Sequence, residues 1–153
     1  METAKTQRRG TIRRRFEGDH VRFESDRGAL IVPRELGDVF HYRAVGHYDA
    51  AMVEQIWALF DAFAAMRTGR QHAFADFSEV TGYDTEARQL GAAGFRERMA
   101  RWDTFHVLLP RGVVAKLLSM AFSMIALVSR VPMECYTDPR LFEAERARRA
   151  ARR

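Results

Sequence analysis

The pattern of apolar and polar positions changes its period along the chain. Near the N-terminus, residues 20–24 (His-Val-Arg-Phe-Glu) alternate polar and apolar, which is typical of a half-buried strand. Further on, apolar residues such as Met52, Ile56, Leu59 and Phe63 recur at three- and four-residue steps, which is typical of an amphipathic helix. The sequence therefore predicts strands first, and then helices alternating with strands.

The predicted elements are bounded by glycine, proline and helix-capping residues. The strands cover residues 20–24, 29–32, 39–45, 72–77, 105–109 and 133–136, and residues 11–16 could extend the first one. The helices lie between Asp49 and Gly69 and at 84–102, 113–129 and 140–150. Because strands separated by helices join by right-handed crossovers, we predict an α/β domain with a single mixed sheet. Its core is mostly parallel, its N-terminal edge is antiparallel, and about four helices cover it.

One stretch combines a predicted strand end with several polar side chains. Residues 72–77 are aromatic and apolar apart from Asp76, Thr81-Gly82 marks a turn, and Asp84 and Thr85 can cap the following helix. The carboxyl ends of parallel strands form the edge where α/β folds usually keep their functional surface. Asp76 is either a carboxylate of such a site or an acceptor for turn N–H groups.

The helix predicted at 113–129 has more apolar residues than one face needs. The face that we assign to the core contains Val114, Leu117, Leu118, Ala121, Ile125 and Val128. The surplus residues off that face are Met120, Phe122, Met124 and Leu127. We hypothesise a second contact through Met120, Met124 and Leu127, with a second copy, a partner groove or an apolar ligand. The alternative is a deeply buried helix that the last helix covers.

Positive charge is concentrated at the two ends of the chain. Residues 1–15 and 140–153 hold 12 of the 25 basic residues and 3 of the 20 acidic ones, which leaves 13 basic and 17 acidic residues between them, a net charge of −4. We predict a disordered basic tail at 1–15 and a single domain at 16–150. The basic ends are either solubilising or surfaces for weak contact with nucleic acid or anionic lipid.

The sequence favours a cytoplasmic location. Cys135 is the single cysteine, so no internal disulfide can form, which fits a reducing compartment. Residues 1–15 lack the apolar segment of a secretion signal. The longest apolar run, Val113–Val128, is interrupted by Lys116 and two serines, and we expect no integral membrane segment.

No complete set of catalytic or cofactor-binding residues can be named from the sequence. The histidines are spread over four different strands or strand ends, without the short helical spacing of a zinc site: His20, His41, His47, His72 and His106. The chain has no glycine-rich phosphate loop, nucleophile elbow or Cys-His pair. We therefore predict a protein that is not an enzyme and that has no metal or cofactor.

Two motifs, in this order of elements, resemble the STAS domain, the fold of bacterial anti-sigma-factor antagonists such as SpoIIAA. The four residues Gly46-His47-Tyr48-Asp49 look like the family's Gly-x-x-Asp between the central strand and the first helix. The stretch Asp76–Thr85 resembles the family's Asp-Leu-Ser-x-Val-x-x-Ile-Asp-Ser without a gap. The resemblance covers about residues 20–150.

The resemblance implies a regulatory domain that acts by binding another protein. In that family, the Ser after the second Asp is phosphorylated by a partner kinase that is also the anti-sigma factor, and the matching residue here is Thr85. Asp76, Ser78 and Asp84 would then form the switch turn around it. The alternative is that Thr85 only caps the helix, beside Asp84.

The chain also departs from the family pattern after Thr85. Where the family continues Ser-Gly-Leu, this chain has Glu86-Ala87-Arg88. That departure is similar to the SpoIIAA-like branch related to the CRAL-TRIO lipid-binding domain. We therefore expect a regulatory domain with an anti-sigma-factor or kinase-like partner or a second copy. The alternative is a small-molecule or lipid-binding module with an apolar pocket.

Overall fold

The computed structural model describes residues 10–151, and its strands form one seven-stranded sheet. The strands are β1 Arg13–Glu17, β2 His20–Glu24, β3 Gly28–Pro33, β4 Phe40–Tyr48, β5 Gln71–Tyr83, β6 Trp102–Leu108 and β7 Met133–Tyr136. The helices are α1 Ala50–Ala65, α2 Thr85–Glu97, α3 Val113–Ser129 and α4 Pro139–Ala150. The strands lie side by side in chain order, from β1 at one edge to β7 at the other.

The strand directions confirm the predicted mixed sheet. The first four strands pair antiparallel, since short turns connect them. From β4 onwards each strand is parallel to the next, because a helix connects each pair. The parallel core therefore consists of β4, β5, β6 and β7, and its carboxyl ends lie at one edge.

Alternate residues of β5 separate the two faces of the sheet. Ala73, Ala75 and Phe77 belong to the large core under α1, α2 and α3. Phe74, between them, belongs to a smaller core on the opposite face, where α4 contributes Phe142. Three helices therefore cover one face, and α4 covers part of the other.

The strand β5 is much longer than the predicted strand at 72–77. Beyond Asp76, the last β5 residue paired with β6, it continues to Tyr83, which pairs with Tyr48 of β4. The predicted polar turn at 78–83 is therefore wrong. Thr81 and Gly82 favour a turn, but here they continue the strand. This is because β4 supplies a parallel partner and Val80 is buried against the core.

Smaller differences occur at other boundaries. The helix predicted at 84–102 ends at Glu97, a short 3-10 helix follows at Met99–Arg101, and β6 starts at Trp102 instead of residue 105. Residues 13–17 form the separate edge strand β1, so the predicted domain boundary at residue 16 falls inside a strand. Residues 1–9 of the predicted basic tail lie outside the described residues.

Ion pairs within α4 neutralise part of the charge of the basic C-terminal segment. Arg146 lies 2.7 Å from Glu143, and Glu145 accepts from both Arg148 and Arg149. With four arginines and two glutamates, α4 keeps a net charge of +2. Between residues 10 and 151, no helix is both long and apolar enough to span a membrane.

Candidate functional site

Asp76 and Ser78 form a local hydrogen-bonded pair at the point where β5 leaves β6. One carboxylate oxygen of Asp76 accepts from the backbone N–H of Ser78, at 2.9 Å, and from its hydroxyl, at 2.6 Å. Asp76 therefore accepts hydrogen bonds from a residue of its own strand, β5. About six residues of extended strand, roughly 20 Å, separate Ser78 from Asp84. Asp76 and Ser78 therefore lie apart from Asp84, and the three residues do not form the single switch turn that we predicted.

Asp84 lies at the N-terminus of α2, but its carboxylate does not cap that helix. It accepts instead from Arg27, at 3.0 and 3.1 Å, and lies 2.6 Å from Nε2 of His47. The hydrogen bond with His47 and the charge of Arg27 hold the pKa of Asp84 below its usual value. Asp84 therefore stays ionised and ties α2 to the ends of β3 and β4.

His47 reaches Asp84 because the chain bends at Gly46. Gly46 has a φ of +78°, and a Cβ there would lie 2.7 Å from the carbonyl oxygen of Arg27. The two motifs that we compared with the STAS family therefore meet in space, through His47 and Asp84. Sequence reasoning missed this contact, although adjacent carboxyl ends of parallel strands are a usable signal for it.

Thr85 is the first residue of α2 and is exposed. Within the described chain its side chain makes no hydrogen bond, so Thr85 does not act as a side-chain cap. A hydroxyl at an exposed helix N-terminus is accessible, and the N–H groups around it favour an anion.

The outer surface of α3 carries an uninterrupted row of apolar side chains. We call this row the α3 stripe: Val113, Leu117, Met120, Met124 and Leu127. Met120, Met124 and Leu127 are 65%, 59% and 82% exposed, so they lie outside the core of the monomer. The deeply buried alternative for this helix is therefore wrong in the monomer.

The assignment of α3 residues to its inner face was partly wrong. Leu117 and Val128, which we placed in the core, are about half exposed, whereas Phe122 is buried against Phe77 and Phe105. The inner face is centred on Leu118, Phe122 and Ile125, and the last helix packs on the opposite face of the sheet. Periodicity alone did not determine which side of the helix faces the sheet.

An apolar cavity lies between the sheet and the helices α1, α2 and α3. Its volume is about 50 Å³. Its aromatic lining consists mainly of Tyr42, Trp57, Phe77, Phe95, Phe105 and Phe122. The composition is typical of sites for apolar ligands, but the volume is well below the roughly 300–1,000 Å³ of sites for drug-sized ligands. The sequence predicted apolar residues in these elements but not the gap between them.

A partly buried polar network lies on the opposite face of the sheet, beside α4. His72 and His106 are 3.2 Å apart, and Nδ1 of His106 is 2.9 Å from the hydroxyl of Tyr136. That hydroxyl in turn donates to Glu134 at 2.7 Å. Burial lowers the pKa of His106 to about 4 and also lowers that of His72, so both rings are neutral at pH 7. Sequence reasoning treated these histidines as dispersed and missed the network.

These residues do not assemble a metal centre. Among residues 10–151, no group of three or more His, Cys, Asp or Glu side chains has the geometry to hold a metal ion. The network instead links its members pairwise by hydrogen bonds, and Phe74 stacks on His106 with the ring centroids 4.2 Å apart.

Comparisons with known proteins define the fold. No family model matches the chain, and no curated protein matches it. Among solved structures, the chain is similar to an uncharacterised protein of the DUF3478 family, with a SpoIIAA-like fold, from Shewanella loihica PV-4. The two are 15% identical over 88% of this chain and 91% of that one, with a TM-score of 0.52.

This similarity, together with the sheet order and the four helices, shows that the chain has a SpoIIAA-like α/β fold. The fold predicted from the two motifs is thereby confirmed. At 15% identity the similarity concerns the fold alone.

Proposed function

We propose that the protein is a non-catalytic regulatory domain that acts by binding another protein through the α3 stripe. The observation that supports this proposal is the exposure of large apolar side chains along one helix. Monomeric proteins rarely leave contiguous apolar patches of this size in water. Between Val113 and Ser129 the one charged residue is Lys116, so the helix can be covered without burying several charges.

The spacing of the α3 stripe favours a second copy of the chain as the partner. Its five residues follow steps of four, three, four and three, as in the apolar seam of paired helices. The stripe is also nearly symmetric about Met120. In an antiparallel pair related by a twofold axis, Met120 would meet its own copy and Leu117 the partner's Met124.

The area of this surface is compatible with a dimer. If roughly 100 Å² is exposed on each stripe residue and on Val128, the total is about 600 Å², near the ~800 Å² that each partner buries in a standard interface. An anti-sigma-factor or kinase-like partner, which the family resemblance implies, would use the same surface and compete with the second copy.

Thr85 is the proposed site of regulation. A phosphate there would add nearly two negative charges beside the ionised Asp84. It would compete for Arg27, which otherwise holds Asp84 at 3.0 Å, and so loosen the link between β3 and α2. We expect Thr85→Glu to change the association constant, and Thr85→Val to leave it unchanged.

The experiment that tests the protein-binding function is a substitution of Met124 by Glu. In sedimentation velocity we expect the wild type to self-associate and Met124→Glu to be a folded monomer. The introduced carboxylate would lie in the contact that the α3 stripe makes, where burial of a charge is unfavourable. Leu141 of α4 is a matched control, since it is 62% exposed but lies on another surface. Leu141→Glu should associate like the wild type.

Two outcomes would contradict this function. Loss of folding in Met124→Glu would place Met124 in the core. Identical sedimentation of the wild type and Met124→Glu, with no shift of either in the presence of a candidate partner protein, would leave the α3 stripe without a role.

A second function, the binding of a small apolar ligand, is supported by the cavity beneath α2 and α3. Its lining is almost wholly aromatic and aliphatic, which suits an apolar ligand. Native mass spectrometry of the freshly purified protein tests it, because a co-purifying apolar compound would add a defined mass to the folded chain.

A further inference from the structure

The upper part of β5 has an unpaired edge in the middle of the sheet. Its neighbour β6 pairs with it only as far as Asp76, whose partner is Leu108. Residues 79–83 pair with β4 on one side, and among residues 10–151 no strand lies on their other side. Because successive residues of a strand direct their backbone groups to opposite edges, about half of the N–H and C=O groups of this segment face the open side.

A cleft lies beside this free edge. Its volume is about 450 Å³, within the roughly 300–1,000 Å³ of ligand sites. Residues 78–81 of β5 form one wall, and residues 109–111 and Thr137, which follow β6 and β7, form the other. The cleft exists because α3 and α4 pack on opposite faces of the sheet, so the chain leaves β6 and β7 in opposite directions.

The two sides of the cleft differ in polarity. On the side of α3, Leu109 is buried in the main core and Val114 packs partly against it. On the side of α4, Thr137 and Pro139 are exposed. An extended chain in the cleft would alternate its side chains between these two sides. Apolar residues at every second position would therefore face α3, and polar residues between them would face α4.

The cleft also has a positive charge that is not neutralised. Its charged lining residues are Glu79 and Arg111. The carboxylate of Glu79 accepts from Arg43 at 2.7 Å, so its charge is balanced. Arg111 is exposed in the loop after β6, and within residues 10–151 it makes neither a hydrogen bond nor an ion pair. An acidic residue of an occupant would complement Arg111.

We propose that the free edge of β5 and its cleft bind an extended acidic peptide of a partner protein, which joins the sheet as a further strand. Backbone hydrogen bonds to residues 79–83 supply the affinity, and the alternating side chains and an acidic residue beside Arg111 supply the specificity. None of the residues of the α3 stripe lines this cleft, so the inference goes beyond the function proposed above.

The backbone and the charge make separable contributions. Each hydrogen bond between the peptide and β5 raises the affinity about two- to tenfold. The ion pair with Arg111 is exposed to water, so it raises the affinity only about two- to fivefold. A register shift by one residue would exchange the two sets of side chains, so the pattern of the peptide fixes which of its amides face β5.

The experiment measures the fluorescence anisotropy of a labelled peptide that alternates valine and threonine and has a glutamate at each end. We expect saturable binding, at least about twofold tighter than that of the same peptide with lysine at each end. Arg111→Gln should reduce this preference. Arg70→Gln is the matched control and should keep it, since Arg70 is exposed beside the opposite end of β5.

N-methylation of the peptide tests the backbone pairing without any change to the protein. An N-methyl group removes a donor and prevents close approach of the neighbouring strand. Methylation of one set of alternate residues should weaken binding about tenfold or more, and methylation of the intervening set should not.

Thr137→Trp tests the position of the site. Its indole would occupy the cleft, so it should abolish binding, while thermal unfolding checks that the variant folds. Thr137 is exposed, so the larger side chain does not enter the core.

Each adverse outcome points to a different error. Equal weakening by both methylated sets would overturn strand addition, and equal binding of the glutamate and lysine peptides would overturn the acidic class. Undiminished binding by folded Thr137→Trp, combined with loss of binding in Met124→Glu, would assign the peptide to the α3 stripe. No peptide binding, combined with self-association that Thr137→Trp abolishes, would make a second copy the occupant. No binding of any peptide and no effect of Thr137→Trp would reject the site.

Discussion

Two glycines of α2 are expected to respond in opposite directions when each is replaced by alanine. A Cβ on Gly94 would overlap the indole of Trp57, with Cδ1 of that ring at 2.8 Å, whereas a Cβ on Gly91 meets nothing within 4 Å. Both substitutions replace a helical glycine by the residue with the highest helix propensity. The difference between them therefore isolates the packing of Trp57.

Trp57 has little freedom to move away from a new methyl group. It is 8% exposed, its ring lies 4.8 Å from that of Phe95 in an edge-to-face contact, and its N–H donates to the carbonyl oxygen of Leu90 at 3.3 Å. The guanidinium of Arg98 covers its face at 4.8 Å. Displacing the indole would disturb all of these contacts together.

The magnitudes follow from these contacts. Gly91→Ala should increase the free energy of unfolding by about 0.5–1 kcal/mol through helix propensity. In Gly94→Ala the same gain in the free energy of unfolding is opposed by overpacking, which costs about 1–3 kcal/mol. Loss of the hydrogen bond to Leu90 would cost up to about 1 kcal/mol more. We therefore expect Gly94→Ala to be less stable than the wild type by up to about 3.5 kcal/mol.

Urea unfolding followed by circular dichroism measures the change in the free energy of unfolding for both variants. The values can be compared if the m-values of the variants and the wild type are equal. Near-ultraviolet circular dichroism should also change in Gly94→Ala, because Trp57 changes its surroundings, and should not change in Gly91→Ala. Two equally stabilised variants would refute the close packing of α2 on α1 at Gly94.

The remaining predictions concern acid and the N-terminus. Burial lowers the pKa of His41 and His106 to about 4, from 6.5 in the unfolded chain. Between these pH values the unfolded chain binds more protons, so the free energy of unfolding should fall as the pH drops from 6.5 to 4. The free energy of unfolding of His106→Phe, measured by urea titration, should fall less steeply across this pH range. An unchanged slope would contradict the buried neutral ring. Deleting residues 1–15 should change the melting temperature by only a few degrees, because all five β1 residues are exposed. A drop of many degrees in calorimetry would show that β1 is essential.

The order of elements was determined by the sequence itself. Period-two alternation at 20–24 and period-3.6 repeats in α1 and α3 arise from local geometry, so strands and helices could be placed without knowing their neighbours. The predicted bounds of α3 and β7 agree with the structure. The parallel core could be predicted from the alternation of strands and helices along the chain. A helix between two strands brings the chain back, so that the second strand runs parallel to the first.

The pairing of distant residues was decided only by the tertiary structure. His47 and Asp84 are 37 positions apart, and His72 and His106 are 34 apart, so no local pattern connects them. β5 extends to Tyr83 because β4 supplies hydrogen-bonding partners there, although its own residues favour a turn. The exposure of Leu117 and the burial of Phe122 depend on how α3 is rotated against the sheet. The apolar cavity depends on how three helices fill the space above it, and packing of that kind is not encoded in any single segment.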